Sequence, residues 1–254
     1  MTLSIVILTF NQRVHTLRLM DSLLPYLCSR KDVEAVIIDN GSSDGTTDAI
    51  MDKLQSYPEI EGRLRIIVEK ENRGVAAGRN IGLNSSQSDF LLILDNDTII
   101  SGQAIDGLLN HLQNHPGCGI CAPALYSPSG EPQSSAKPYP GLRLKLAHIL
   151  RPGKELAREK EEMKKRHPWY VIGACQMFRK SVFDKVGQLD EGIFYGPEDA
   201  DYCARVRECG FTIDYLPEFS IIHDWRRVTR RNPISKLALK HFAGLLRFWS
   251  KGYK

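Results

Sequence analysis

The first hundred residues alternate short apolar runs with longer stretches whose apolar residues fall at helical spacing, and this rhythm limits the fold more than any other feature. Strands are expected over Ser4–Leu8, Ala35–Ile38, Leu64–Val68 and Phe90–Leu94, and helices over Val14–Leu27, Thr46–Leu54 and Val75–Leu83. Strand–helix alternation of this kind builds an α/β fold: a Rossmann-like, mostly parallel central sheet flanked by helices. Polar and acidic residues collect just past the strand ends, at Thr9-Phe10-Asn11, at Asp39 to Asp44, and at Asp95-Asn96-Asp97. In open α/β sheets that edge is where ligands bind.

From about Ser101 the rhythm changes. Ser127–Gly141 reads as loop, Leu142–Arg166 as a basic, solvent-facing helix, Trp169–Phe178 as a strand, and Gly187–Gly210 as an acidic cluster followed by a helix. With no internal repeat and no low-complexity linker, one domain over residues 1–224 followed by a basic tail over 225–254 is the simplest organisation. A 254-residue chain that is 42% hydrophobic and 25% charged buries a substantial core, which removes disordered and collagen-like classes. The net charge of +4 is too mild to argue for nucleic acid, and no recognised nucleic-acid module is present. Leu3–Leu8 is too short to span a membrane and lacks the flanks of a signal peptide, so it is read as a buried strand and the protein as cytoplasmic. Six scattered cysteines point to reduced thiols. Cys118 and Cys121 have the spacing of a zinc or redox pair, but no second pair or flanking histidine completes it, which leaves core thiols as the expectation.

Several constellations carry chemistry. At Asp95-Asn96-Asp97 an apolar strand delivers two carboxylates two residues apart, on the same side of the chain; such hard oxygen ligands suit Mg²⁺ or Mn²⁺ bridging a diphosphate. Asp39 ends a strand ahead of a Gly-Ser-Ser-Asp44 turn and is not needed for that turn, so its carboxylate can accept hydrogen bonds from a base or a ribose. Around Gly74, Gly78 and Arg79, small residues let a helix start close to a ligand, and the guanidinium can fork onto phosphate or base. Glu198, Asp199 and Asp201 offer a general base for an acceptor hydroxyl, and His223, ending a late strand, can complete a metal shell begun by carboxylates. Taken singly, each also serves as a cap, an ion-pair partner or a structural histidine.

In their order and spacing these motifs resemble family 2 glycosyltransferases over roughly residues 1–225. The resemblance implies the GT-A fold, with a nucleotide-sugar-binding half (1–100) and an acceptor-binding half (101–224), and inversion at the anomeric carbon. It implies that Thr9, Phe10 and Asp39 hold the base and ribose, that Arg79 meets the base or diphosphate, and that Asp95 and Asn96 belong to the same nucleotide-sugar site. It further implies that Asp97 and His223 bind the Mg²⁺ or Mn²⁺ cofactor, that Asp199 is the catalytic base, and that Glu198 and Asp201 support it. The Asp95-Asn96-Asp97 sequence, the acidic cluster and the stretch after His223 look most like the rhamnosyltransferase-type branch, which implies dTDP-L-rhamnose as donor and bacterial surface-polysaccharide assembly. A UDP-hexose transferase of the same family and a non-catalytic nucleotide-sugar or glycan binder are the alternatives.

In the tail, Ile234, Leu237, Ala238, Phe242, Leu245, Phe248 and Trp249 project onto one helical face. Lys236, Lys240, Arg247 and Lys251 project onto the opposite one, and Arg226, Arg227, Arg230 and Arg231 precede the helix. Two readings follow for this amphipathic helix: packing on the domain, or peripheral contact with an anionic membrane at the inner face of the cell.

Overall fold

In the computed structural model, which describes residues 1–141, 152–225 and 235–253 (for 152–156 the backbone alone), the four early apolar runs are strands. They are β1 (Leu3–Thr9), β2 (Val33–Asp39), β3 (Leu64–Val68) and β4 (Phe90–Asp95), separated by α1 (Arg13–Ser29), α2 (Thr46–Leu54) and α3 (Val75–Ser85). Successive side chains of a strand point to opposite faces. Ile5 and Ile7 of β1 therefore meet Leu19, Leu23 and Leu27 of α1 on one side, while Val6 meets Ala76 and Leu83 of α3 on the other. Helices cover both faces, so the strands need no polar alternation and read as continuous apolar runs.

The remaining strands are β5 (Thr98–Ile99), β6 (Cys118–Tyr126), β7 (Pro132–Gln133), β8 (Ala136–Lys137), β9 (Tyr170–Val171), β10 (Cys175–Arg179) and β11 (Thr212–His223). The remaining helices are α4 (Gly102–Asn114), α5 (Pro152–Glu162), α6 (Lys180–Val186), α7 (Glu198–Glu208) and α8 (Lys236–Ser250). The main sheet runs β3-β2-β1-β4-β10-β6-β11-β5, with β7 added to β6. Its first four strands are parallel; beyond β4 it is mixed, because β10 lies antiparallel to both β4 and β6. No helix among the described residues is long and apolar enough to cross a membrane.

Two expectations need correction here. Trp169–Phe178 is not one strand: Tyr170–Val171 pairs with β8, Cys175–Arg179 joins the main sheet, and the turn between them faces the ligand edge, where the Ala174 carbonyl accepts from Asp95 N–H at 2.9 Å. The tail helix packs on its projected face, with Leu245 and Phe248 buried and Leu237, Ala238 and Trp249 half-buried; the departures are Phe242, which is exposed, and Arg247 and Lys251, which reach carboxylates of the domain. Those carboxylates, Asp190 and Asp201, draw the long cationic side chains to the seam. Ile234 and the four arginines before the helix lie outside the described residues.

Candidate active site

The end of β4 turns at Asp95-Asn96-Asp97 into β5, and β5 pairs with the end of β11, setting His223 opposite Thr98. A hydrogen bond from Asp224 N–H to the Asp97 carbonyl at 2.8 Å closes the same junction. This register brings a histidine from the far end of the chain to the acidic turn. One ligand atom each of Asp95, Asp97 and His223 lies within 4.8 Å of the others. His223 Nε2 stands 3.3 Å from Asp97 Oδ1, yet that buried oxygen has no hydrogen-bond partner among the described residues. Burial opposes the charged imidazole of His223, but the neighbouring carboxylates, Asp97 first, outweigh it and raise its pKa.

Gln133 sets which imidazole nitrogen is free. Its amide NH₂ donates to the His223 carbonyl at 2.7 Å, which fixes its Oε1 as the atom 2.8 Å from His223 Nδ1. Nδ1 must then carry a hydrogen, and in the neutral ring Nε2 presents its lone pair toward Asp97. A ligating histidine held through its other nitrogen is the usual support of a metal site. An orphaned carboxylate oxygen and an aimed imidazole lone pair fit a divalent cation.

The Arg79 guanidinium points inward. Its fork is not turned outward to phosphate or base: Nη2 donates to Asp95 Oδ1 at 2.6 Å and to the Gly173 carbonyl at 3.0 Å, while Nη1 donates to Glu198 Oε1 at 3.1 Å. Only 4% of its side chain is exposed, and a buried guanidinium is tolerable only when paired in this way. Arg79 thus ties Asp95 to the start of α7. Burial, together with the charge of Asp199, pushes Glu198 up to about 7, and its Oε2 is buried without a partner among the described residues. Burial likewise raises Asp199, against hydrogen bonds from Ala200 N–H and from Gly173 N–H at 3.1 Å. Asp201, fully buried, points away from this cluster toward Arg205, Lys251 and Tyr253.

On the β1–β2 side the polar residues are bound mostly to one another. Thr9 is buried, its hydroxyl 2.8 Å from that of Thr16, and buried Asn96 donates to both. Phe10 is exposed beside them. Contrary to expectation, Asp39 takes part in its turn: Oδ1 accepts from Ser42 N–H at 2.8 Å and Oδ2 from the Thr47 hydroxyl, leaving only its remaining lone pairs for a ligand. The small residues at the start of α3 are closely packed. A Cβ on Gly78 would meet Leu8 at 2.3 Å, and one on Gly74 would meet Phe194 at 2.8 Å.

Gln133, Gly173 and Tyr195, which no motif singles out, complete the surroundings with Trp225 from the stretch after His223. Tyr195 is raised by burial and by the charges of Glu198, Asp95, Asp97 and Asp199. Trp225 stacks on His223, the ring planes 10° apart. The structure also supplies the histidine that Cys118 lacked in sequence. A bulge in β6 opposite Thr212 puts Cys118 and Cys121 in the same core, and His111, Cys118 and Asp214 approach one another within 4.8 Å. There, however, Asp214 accepts from Thr212 at 2.7 Å, and His111 and His167 stand at 2.7 and 2.8 Å from its oxygens. Against burial, these contacts hold its carboxyl below the usual range. Nothing in this second group is left unpaired.

A parallel half-sheet ending in an Asp-x-Asp turn, continued by a mixed half that returns a histidine to that turn, defines the class: a GT-A fold of the sugar-nucleotide transferases. The model of glycosyl transferase family 2 matches residues 4–187, and the chain belongs to that family. It is 28% identical over 256 residues to the N-acetylglucosaminyl-diphospho-decaprenol L-rhamnosyltransferase of Mycobacterium tuberculosis, covering 94% of this chain and 81% of that one, in agreement with the rhamnosyltransferase-like branch. A mannosyltransferase from Pyrobaculum calidifontis, solved with GDP-Man and Mn²⁺, superposes with a TM-score of 0.69 at 17% identity; the match covers 96% of this chain and 64% of that one. TarS from S. aureus superposes with a TM-score of 0.61 at 18% identity, over 99% of this chain and 73% of the other.

Proposed function

We propose that the chain is an inverting, divalent-cation-dependent transferase that moves L-rhamnose from dTDP-L-rhamnose to a hydroxyl of a lipid-linked glycan in bacterial surface-polysaccharide synthesis. The observation that carries this reading is the buried Asp97 Oδ1, without a hydrogen bond among the described residues and 3.3 Å from His223 Nε2, next to the Arg79-linked carboxylates Asp95 and Glu198. The rhamnosyl donor and lipid-linked acceptor rest on the similarity to the mycobacterial rhamnosyltransferase. Asp97 and His223, with Asp95 alongside, would hold a Mg²⁺ or Mn²⁺ ion, which would supply positive charge toward a departing diphosphate.

Asp199 acts as base. The acceptor oxygen gives its proton to the Asp199 carboxylate as it bonds to the anomeric carbon, and the bond from that carbon to the diphosphate oxygen breaks, its electron pair leaving with the nucleotide. One carboxylate base without a second as nucleophile suits a single inverting displacement. The Gly173 N–H and the first turn of α7, where the helix dipole favours negative charge, hold that base in place. Residues 1–100 hold the donor. Exposed Phe10 and the free lone pairs of Asp39 meet the nucleotide, while Thr9 and Asn96 keep the loop in shape. Residues 101–224 hold the acceptor.

The outward face of α8 carries exposed Leu239, Phe242 and Leu246, which with nearby lysines suits peripheral contact with an anionic bilayer. Co-sedimentation with anionic but not neutral vesicles, lost on changing all three to serine, is the expected outcome; binding to neither vesicle type removes the membrane from the reading.

The main experiment is turnover of dTDP-L-rhamnose, UDP-hexoses and GDP-mannose with Mn²⁺ or Mg²⁺. Release of dTDP from the first, abolished by EDTA and by Asp97→Asn, supports the proposal. Turnover of a UDP- or GDP-sugar instead moves the donor, and full activity of Asp97→Asn in EDTA overturns the metal role.

A further inference from the structure

We infer that the C-terminal helix α8 positions the base-bearing segment of the site, with Arg247 and Lys251 as its positioning residues; the inference rests on Asp199 being the base proposed above. The segment from Asp190 to Asp201 carries Tyr195, Glu198 and Asp199, and α8 grips it at both ends. At its start, Asp190 accepts from Arg247 Nε at 2.8 Å and pairs with Lys251 Nζ at 2.6 Å. At its end, Asp201 accepts from Tyr253 Oη at 2.9 Å and also from Lys251. A single ammonium therefore bridges the two ends.

Between those ends the contact is backbone to backbone. A Cβ on Gly244 would lie 2.6 Å from the Gly196 carbonyl oxygen, so the helix seats directly on the loop. His241 Nδ1 stands 3.2 Å from the Tyr195 carbonyl oxygen, and Lys240 Nζ lies 3.2 Å from the ring centroid of Phe194. On its other side the segment is fixed to the start of α3, where Val75 N–H donates to the Phe194 carbonyl at 2.8 Å.

The electrostatics show why a grip is needed. Glu198, Asp199 and Asp201 crowd three carboxylates into the first turn of α7. Two of them lie in the cluster around Arg79, and Asp201 is fully buried. Like charges at such spacing repel, and a buried charge that loses a partner is strongly disfavoured. Lys251 offsets Asp201 from the side away from the reacting groups, and so opposes a shift of the helix start that carries Asp199. A displacement of about 1 Å at a catalytic group costs about 10²-fold in rate.

The test compares the full-length wild type with Arg247→Ala/Lys251→Ala, with Gly244→Ala, which crowds the seam without touching charge, and with the conservative Arg247→Lys/Lys251→Arg. Amide hydrogen exchange is followed over residues 191–200 and over β1 and β4. Hydrolysis of dTDP-L-rhamnose with Mn²⁺ is measured in parallel across pH. The expected result for the double alanine variant is exchange about tenfold faster over 191–200 alone, with kcat about 10- to 100-fold lower and donor KM within about twofold. Gly244→Ala should shift both in the same direction, and the conservative pair should restore them. Unchanged exchange over 191–200, or exchange that rises equally in β1 and β4, overturns the inference. Should the wild type turn over no nucleotide sugar, the functional proposal fails, and the exchange pattern still decides whether α8 holds this segment.

Discussion

Two groups of metal-ligand side chains lie among the described residues, and they differ in what they leave over. His111, Cys118 and Asp214 meet in the core, where Thr212 and His167 supply the remaining contacts of the carboxylate. Asp95, Asp97 and His223 meet at the sheet edge, where one buried Asp97 oxygen has no partner among the described residues. An unsatisfied buried polar atom costs about 1–3 kcal/mol. The first group is complete as folded and contributes stability. The second has geometry whose cost a bound cation would recover, and that difference separates a structural cluster from a candidate site more sharply than ligand identity does.

The largest effect expected is at the edge group's neighbour Asp199. Asp199→Asn should lower kcat by about 10²–10⁴-fold while donor binding persists, because a general base acts on the chemical step. Steady-state rates beside donor titration by calorimetry check this. A dead Glu198→Gln with an active Asp199→Asn would move the base by one residue.

Next in size is the contrast in stability. Asp214→Ala leaves two histidines and a threonine without their acceptor and should lose about 3–5 kcal/mol in urea unfolding. Asp97→Ala removes a carboxylate held, among the described residues, by the single ion pair with His223 and should lower metal-free stability by clearly less than Asp214→Ala. Equal losses in the two variants would erase the distinction drawn between the groups.

Metal addition sharpens the same contrast. Mn²⁺ at 100 times its Kd should stabilise the wild type by about 2.7 kcal/mol, an effect absent from Asp97→Asn and retained in Cys118→Ser. Gln133→Ala, which frees the His223 ring, should weaken Mn²⁺ affinity by about 10–100-fold without removing a ligand.

The smallest effect concerns Glu198, raised to about 7 by burial and by Asp199. A carboxyl whose folded pKa is raised contributes stability that is full below its unfolded pKa and is lost as pH rises through the folded value. Glu198→Gln should therefore gain in Tm relative to wild type between pH 5 and pH 8. A gap in Tm that stays constant over that range would show that the buried carboxylate carries no such penalty.

By itself the sequence determined the order of strands and helices from β1 to β4, and the placing of Asp39, Asp95 and Asp97 at strand ends. Those features are local: apolar periodicity and the first polar residue after a strand leave a trace within a few positions. It also marked His223 and the Glu198–Asp201 cluster as residues of interest. Only the tertiary structure decided what they touch. The antiparallel insertion of β10 beside β4, the β5–β11 register that delivers His223, the inward fork of Arg79 and the orientation of His223 by Gln133 all join segments remote in sequence. The tail shows the same division: its amphipathic spacing announced the helix and its packed face, while the pairing of Arg247 and Lys251 with Asp190 and Asp201 and the close seat of Gly244 came only with the tertiary structure. Hydrogen bonds between distant segments impose no spacing on the chain, so a helix projection or a motif cannot carry them; they exist only once the sheet has closed.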